Sequence, residues 1–152
     1  MKKIEVDIAG QQLTAYENKK LVYSFPCITG DAGHLTPRGK YKIISKHRIY
    51  RSKKYDAQMN YALKITGDGV FIHEGYNYIE DPARQTGVAT VLSDTTANVV
   101  SFARKTFPDI AKKNISVGGI NVFGSHGCVR LAHSDAEKLF DWAVKDMPVE
   151  IK

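Results

Sequence analysis

The stretch Gly124-Ser125-His126-Gly127-Cys128-Val129-Arg130-Leu131 gathers a thiol, an imidazole, a hydroxyl, a guanidinium and two glycines into one short run. Nucleophilic catalysis by cysteine needs a thiolate, so some group must accept the thiol proton or lower its pKa from about 8.5. Gly127 lets the backbone turn sharply just before Cys128, and successive N–H groups at such a turn can form an oxyanion hole. Arg130 could favour the thiolate or hold a substrate carboxylate. The competing reading is a buried structural cysteine in a glycine-containing turn, since cysteine is often a small apolar filler. A second histidine, His73, ends the apolar run Val70-Phe71-Ile72 ahead of Glu74-Gly75. A strand fixes its last residue well, which suits a general base; the competing reading is a buried imidazole satisfied by a backbone group.

Patterning says which elements must carry these groups. The first forty-five residues read as β. Ile4, Val6 and Ile8 alternate with polar neighbours, and Leu13 to Tyr16 and Leu21 to Ile28 flank a hairpin connection at Glu17-Asn18-Lys19-Lys20. Thr36-Pro37-Arg38-Gly39 predicts a turn before a strand from Lys40 to Ser45, and Lys46 to Gln58 a long polar loop. Ala62 to Thr66 and Val70 to His73 predict a hairpin around Gly67-Asp68-Gly69. A helix is predicted from Thr95 to Phe107, capped by Ser93 or Asp94, with Val99, Val100, Ala103 and Phe107 on its apolar face. A second helix has capping-box spacing at Ser134 and Glu137 and an apolar face of Ala136, Leu139, Phe140, Ala143 and Val144. Pro148 closes it, and Val149-Glu150-Ile151 reads as a last strand. The sum is a mainly β domain with helices added late in the chain.

Composition fits this picture. The chain has 152 residues, 43% hydrophobic and 25% charged, as one globular domain would. A net charge of +6 favours an anionic partner, whether nucleic acid, anionic lipid or wall polymer. Two cysteines allow one disulfide, or one reactive and one inert thiol, but no four-cysteine zinc site. Cys27, between Pro26 and Ile28, reads as the inert filler.

Taken together, the residues resemble the catalytic domain of bacterial L,D-transpeptidases, the cysteine enzymes that cross-link peptidoglycan. The resemblance covers nearly the whole chain. It runs through Ile4-Glu5-Val6-Asp7, Gln12 to Asn18, Thr29-Gly30, Thr36 to Tyr41 and Met59-Asn60-Tyr61-Ala62-Leu63. Ile72-His73 followed by Ser125-His126-Gly127-Cys128-Val129-Arg130 is its most specific part. It implies a single domain over residues 1–152 with a β-sandwich-like fold and an inserted helical segment at about 76–118. It makes Cys128 the acyl-accepting nucleophile, His73 its proton acceptor, and the backbone carbonyl of Glu74 the third member of the triad. His126, Gly127 and Cys128 would supply oxyanion-hole N–H groups, while Ser125 and the His126 side chain hold the loop. Arg130, Ser125, Glu74, Met59 and Tyr61 are the expected substrate-contacting residues.

Two departures stand out. The family usually has Gly directly after the first histidine, whereas here Glu74 precedes Gly75. Residues 74–124 separate His73 from Ser125, where compact members place roughly fifteen. The implied substrate is a peptidoglycan tetrapeptide stem, attacked at the carbonyl of its third residue. An amine acceptor would give a 3→3 cross-link, water a carboxypeptidase, and a free D-amino acid exchange. Carbapenems, which acylate this family, should modify Cys128.

His126, Cys128, His133 and His73 as zinc ligands fit no known spacing, so no metal or other cofactor is expected. Tyr50, Tyr55 and Tyr61 among Arg48, Arg51, Lys53 and Lys54 could face single-stranded nucleic acid, a wall polymer or plain solvent; no nucleic acid is expected. His47 is expected to be solvated, and His34 is a candidate for lining the cleft. A non-catalytic polyanion-binding module is the alternative of a different class. No membrane span or export signal is expected, because Met1-Lys2-Lys3 leads straight into an alternating strand pattern. Action in the periplasm or cell wall would then need a mature domain or a non-Sec route, such as delivery as an antibacterial effector.

Overall fold

The computed structural model describes residues 1–30, 33–52, 57–74, 94–112, 116–117, 120–121 and 127–152. Its strands are β1 (Lys2–Asp7), β2 (Gln12–Glu17), β3 (Lys20–Pro26), β4 (Gly39–Lys42), β5 (Ser45–His47), β6 (Arg51–Ser52), β7 (Ala57–Gln58), β8 (Ala62–Lys64), β9 (Phe71–Glu74), β10 (Ser116–Val117), β11 (Ile120–Asn121), β12 (Val129–Leu131) and β13 (Pro148–Ile151). Helix α1 (Asp94–Thr106) lies between β9 and β10, and α2 (His133–Trp142) between β12 and β13.

A five-stranded sheet has the order β3-β2-β1-β13-β4. The alternation read at Ile4 and Val6 is the cause of β1: both side chains are fully buried. They pair in parallel register with Val149 and Ile151 of β13, so the last strand of the chain completes the sheet beside the first. The β2–β3 hairpin turns at Asn18 and Lys19, both with positive φ (53° and 69°), the backbone that matches strand twist in a tight hairpin.

The second sheet has the order β12-β9-β8-β5. The two sheets face each other across one core. Ile4, Val6, Leu13, Ala15, Val149 and Ile151 meet Leu63, Ile72, Val129 and Leu131, and α2 closes the side with Ala136, Leu139 and Phe140. The architecture is mainly β with two α-helices among the described residues, as the alternation and the late helical periodicity predict.

Several local expectations are corrected. The single strand expected over Lys40 to Ser45 is two strands in different sheets, because the Ile43 N–H bonds the Met147 carbonyl while the Ile44 N–H already bonds that of Lys64 in the second sheet. The expected loop from Lys46 to Gln58 contains β5 and the paired strands β6 and β7. Helix α2 has Ala132 at its N-cap with no side-chain cap bond, so Ser134 and Glu137 form no capping box at its start. It ends at Trp142, leaving Val144 exposed. Of the apolar face expected on α1, Val100 is buried, but Val99 and Phe107 are more than half exposed. The face that docks carries Val100, Ser101 and Arg104 instead. The Ser93 cap lies outside the described residues, as does much of the expected insertion.

Candidate active site

The parallel pair β9–β12 builds the site. Val129 lies opposite Ile72, Arg130 opposite His73, and Leu131 opposite Glu74. Successive side chains on a strand point to opposite faces. Val129, Leu131 and Ile72 enter the main core, so Cys128, Arg130, Phe71 and His73 share the other face. Cys128 and His73 are diagonal neighbours there, a separation of roughly 7–8 Å between strand positions that side chains can close. A small apolar cluster of Met59, Ala62, Phe71 and Cys128 lines this face, with the ring of Tyr50 against it.

Both members of the pair are buried, Cys128 at 5% exposure and His73 at 2%. His73 Nδ1 hydrogen-bonds to the backbone carbonyl of Glu74. A carbonyl can only accept, so Nδ1 carries the proton and Nε2 is left as the basic nitrogen. Burial, helped by the nearby Arg130 guanidinium, pushes the His73 pKa down to about 4 against the hydrogen bond to Glu74 that raises it. The imidazole is therefore neutral at pH 7 and able to take a proton. The Cys128 thiol has the Gly69 carbonyl oxygen 3.7 Å away as an acceptor, which suits a protonated resting sulfur.

The turn before the thiol is held from a distance. Gly127 has φ +114°, a conformation only glycine adopts readily, which explains the residue type. Its carbonyl accepts a hydrogen bond from the Thr36 hydroxyl at 2.8 Å. Thr36 belongs to the Thr-Pro-x-Gly turn and was not among the expected site residues. Its place in that turn was the signal that could have found it. Past the thiol, Arg130 exchanges two backbone hydrogen bonds with Ile28, each 2.9 Å.

Other expected site residues divide. Met59 is buried beside Cys128. Arg130 shares the site face and is 1% exposed, with its guanidinium near the His73 imidazole. Glu74 contributes its carbonyl to His73, but its carboxylate is bonded to His133 Nδ1 at 2.5 Å, on the side of the sheet that α2 covers. It therefore does not reach towards Cys128. Tyr61 packs edge-on to Phe140 and His133 and donates its hydroxyl to Glu137 at 2.8 Å, so it belongs to the α2 side as well. Ser125 and His126 lie outside the described residues. Tyr50 is tilted against Phe71 at 4.8 Å and Arg48 sits over Tyr61 and Phe140. Packing thus takes up the rings read as an interleaved aromatic–basic surface; Tyr55 lies outside the described residues. His34 is exposed, beside Gly127 through its carbonyl.

Cys27 and Cys128 are both free thiols. Cys27 is 1% exposed within the main core, where burial pushes its pKa up to about 12. It is the inert filler its apolar neighbours predict.

The model of the L,D-transpeptidase catalytic domain family matches residues 1–91 and 106–151. The chain belongs to the L,D-transpeptidase family. Solved structures similar to it include L,D-transpeptidases. That from Stackebrandtia nassauensis has a TM-score of 0.67 at 23% identity, with 99% of this chain and 55% of that one covered. That from Mycobacterium smegmatis has a TM-score of 0.65 at 18% identity, covering 99% and 58%. An L,D-transpeptidase in complex with imipenem has a TM-score of 0.63 at 20% identity, covering 99% and 58%. This chain thus spans a little over half the length of each. A search of curated proteins gives no match. The family match does not extend over residues 92–105, which hold nearly all of α1. Among the described residues, no helix is long and apolar enough to cross a membrane. No group of three His, Cys, Asp or Glu among them could hold a metal, and His126 of the zinc reading lies outside them.

Proposed function

We propose that this domain is a peptidoglycan acyltransferase that works through a thioester on Cys128. The observation carrying the reading is that Cys128 lies on the same sheet face as a neutral, buried His73 whose Nδ1 proton is held by the Glu74 carbonyl. Membership of the L,D-transpeptidase family supports it.

The Cys128 thiol gives its proton to His73 Nε2 as the sulfur attacks the carbonyl carbon of the diamino acid at position three of a tetrapeptide stem. Charge develops on the former carbonyl oxygen, and the family pattern assigns the backbone N–H groups of His126, Gly127 and Cys128 to meet it. Collapse breaks the amide bond. The proton on His73 passes to the leaving nitrogen, D-Ala departs, and a thioester remains. The amine of a second stem then attacks the thioester and loses a proton through His73 to the departing sulfur, which gives a 3→3 cross-link. Water in its place gives a tripeptide, and a free D-amino acid gives exchange. The substrate puts the site of action in the periplasm or cell wall.

The test is incubation of the protein with purified disaccharide-tetrapeptide, followed by mass spectrometry. A cross-linked dimer lighter than two substrates by one D-Ala supports the transpeptidase. Tripeptide alone, or an exchanged terminal residue, keeps the acyl-enzyme and changes its acceptor. Substrate recovered intact would count against the proposal.

A further inference from the structure

Helix α1 docks through polar contacts. The Ser101 hydroxyl donates to the Gln11 carbonyl at 2.9 Å. One turn on, Arg104 is buried at 7% exposure and its guanidinium closes over a single loop. Nη1 donates to the Thr29 carbonyl at 3.0 Å. Nη2 donates to the Thr29 hydroxyl oxygen at 3.2 Å and to the Gly30 carbonyl at 3.3 Å. Burying a guanidinium is costly unless such acceptors are in place, and its planar fork can serve two adjacent backbone groups where an ammonium cannot.

The gripped segment is joined to the nucleophile from both sides. The Gly30 N–H donates to Thr36 Oγ1 at 2.9 Å, and the Thr36 hydroxyl donates to the carbonyl of Gly127, the residue before Cys128. Ile28, just before the gripped pair, holds the backbone of Arg130, two residues past Cys128. Gly30 itself has no room for a side chain: a Cβ there would stand 1.8 Å from the His34 carbonyl oxygen and 2.9 Å from the Thr36 nitrogen.

We infer that Arg104 is a positioning residue for the nucleophile: a cation from a helix outside the family match that fixes the Cys128 turn through Thr29, Gly30 and Thr36. Arg104 touches neither substrate nor the reacting atoms. The inference rests on the reading of Cys128 as the nucleophile, and small misplacements of a reacting group are expensive in rate.

The test compares the full chain with Arg104→Met, Arg104→Lys and, as a control on the same helix, the exposed Lys105→Met. Imipenem acylation of Cys128 is followed by intact mass and resolved into a half-saturating concentration and a saturating rate. Iodoacetamide alkylation of Cys128 is followed against pH, and thermal melting verifies folding. Arg104→Met is expected to lower the saturating rate about 10- to 100-fold, with the half-saturating concentration within about twofold of wild type. Arg104→Lys is expected to recover part of that loss, and Lys105→Met to match wild type. The midpoint of the alkylation profile is expected to move by about half a pH unit or more in Arg104→Met. A folded Arg104→Met with the wild-type rate and pH profile overturns the inference. If that variant does not fold, a wild-type saturating rate in Arg104→Lys overturns it equally. If the wild type takes up no imipenem, the nucleophile reading fails by itself. The alkylation profile still decides the role of Arg104, and an unshifted midpoint rejects it.

Discussion

The two cysteines of this chain are nearly alike in burial and opposite in setting. Cys27 is 1% exposed and Cys128 5% exposed, both are free, and the segments that follow them are bridged at Ile28 and Arg130. Cys27 follows β3 inside the main core, among aliphatic side chains, and burial is the main cause that pushes its pKa up to about 12. Cys128 stands just before β12 on the opposite face of the second sheet, after a glycine with positive φ and on the same face as a histidine with its Nδ1 proton fixed. Burial therefore does not tell an inert thiol from a candidate nucleophile. The distinction comes from which face of the strand the sulfur occupies and which group stands ready for its proton.

The comparison can be broken most directly by exchanging each sulfur for oxygen. Cys128→Ser is expected to abolish turnover of disaccharide-tetrapeptide, measured by product mass. Turnover that survives it would remove the contrast altogether. Next comes the proton acceptor. His73→Ala is expected to slow imipenem acylation at least tenfold, within the range of roughly 10²–10⁴ that a general base contributes. Because His73 stays neutral down to about pH 4, the wild-type rate should hold as the pH is lowered through 6.5 and fall only near 4. The linkage has the same sign. The unfolded chain binds the His73 proton near 6.5 and the folded one near 4, so stability drops as pH falls between these values, by up to about 3 kcal/mol. In His73→Ala that part of the slope should vanish from denaturation measured across pH. The smallest effect belongs to the core cysteine. Cys27→Ser buries a hydroxyl among apolar groups and should cost about 1–3 kcal/mol in denaturant unfolding, with acylation of Cys128 unchanged.

The sequence was informative where chemistry is local. Gly127, Cys128 and the residues around His73 sit in short motifs, and strand alternation alone assigns Cys128 and His73 to one face once β9 and β12 pair. The hairpins around Asn18-Lys19 and Gly67-Asp68-Gly69 were legible for the same reason, since turn chemistry is written in adjacent residues. What could not be read depends on contacts between distant segments. The docking face of α1 is such a case: apolar periodicity selects Val99, Val100, Ala103 and Phe107, of which Val100 is buried but Val99 and Phe107 are exposed, and Ser101 and Arg104 reach backbone carbonyls of Gln11, Thr29 and Gly30. No periodicity encodes a carbonyl some seventy positions away. Thr36 likewise acts on Gly127 across most of the chain. The family resemblance names Glu74 and Tyr61 as substrate-contacting residues; their side chains hydrogen-bond His133 and Glu137 on the α2 side, partners that no local motif specifies.

The central claim, that Cys128 and not Cys27 is the acyl-accepting thiol, is tested most directly by mapping the imipenem adduct. The native protein is treated with excess imipenem, digested and sequenced by mass spectrometry. One imipenem per chain, located on the peptide that contains Cys128, is the predicted result. An unmodified chain, or an adduct on Cys27, would contradict it.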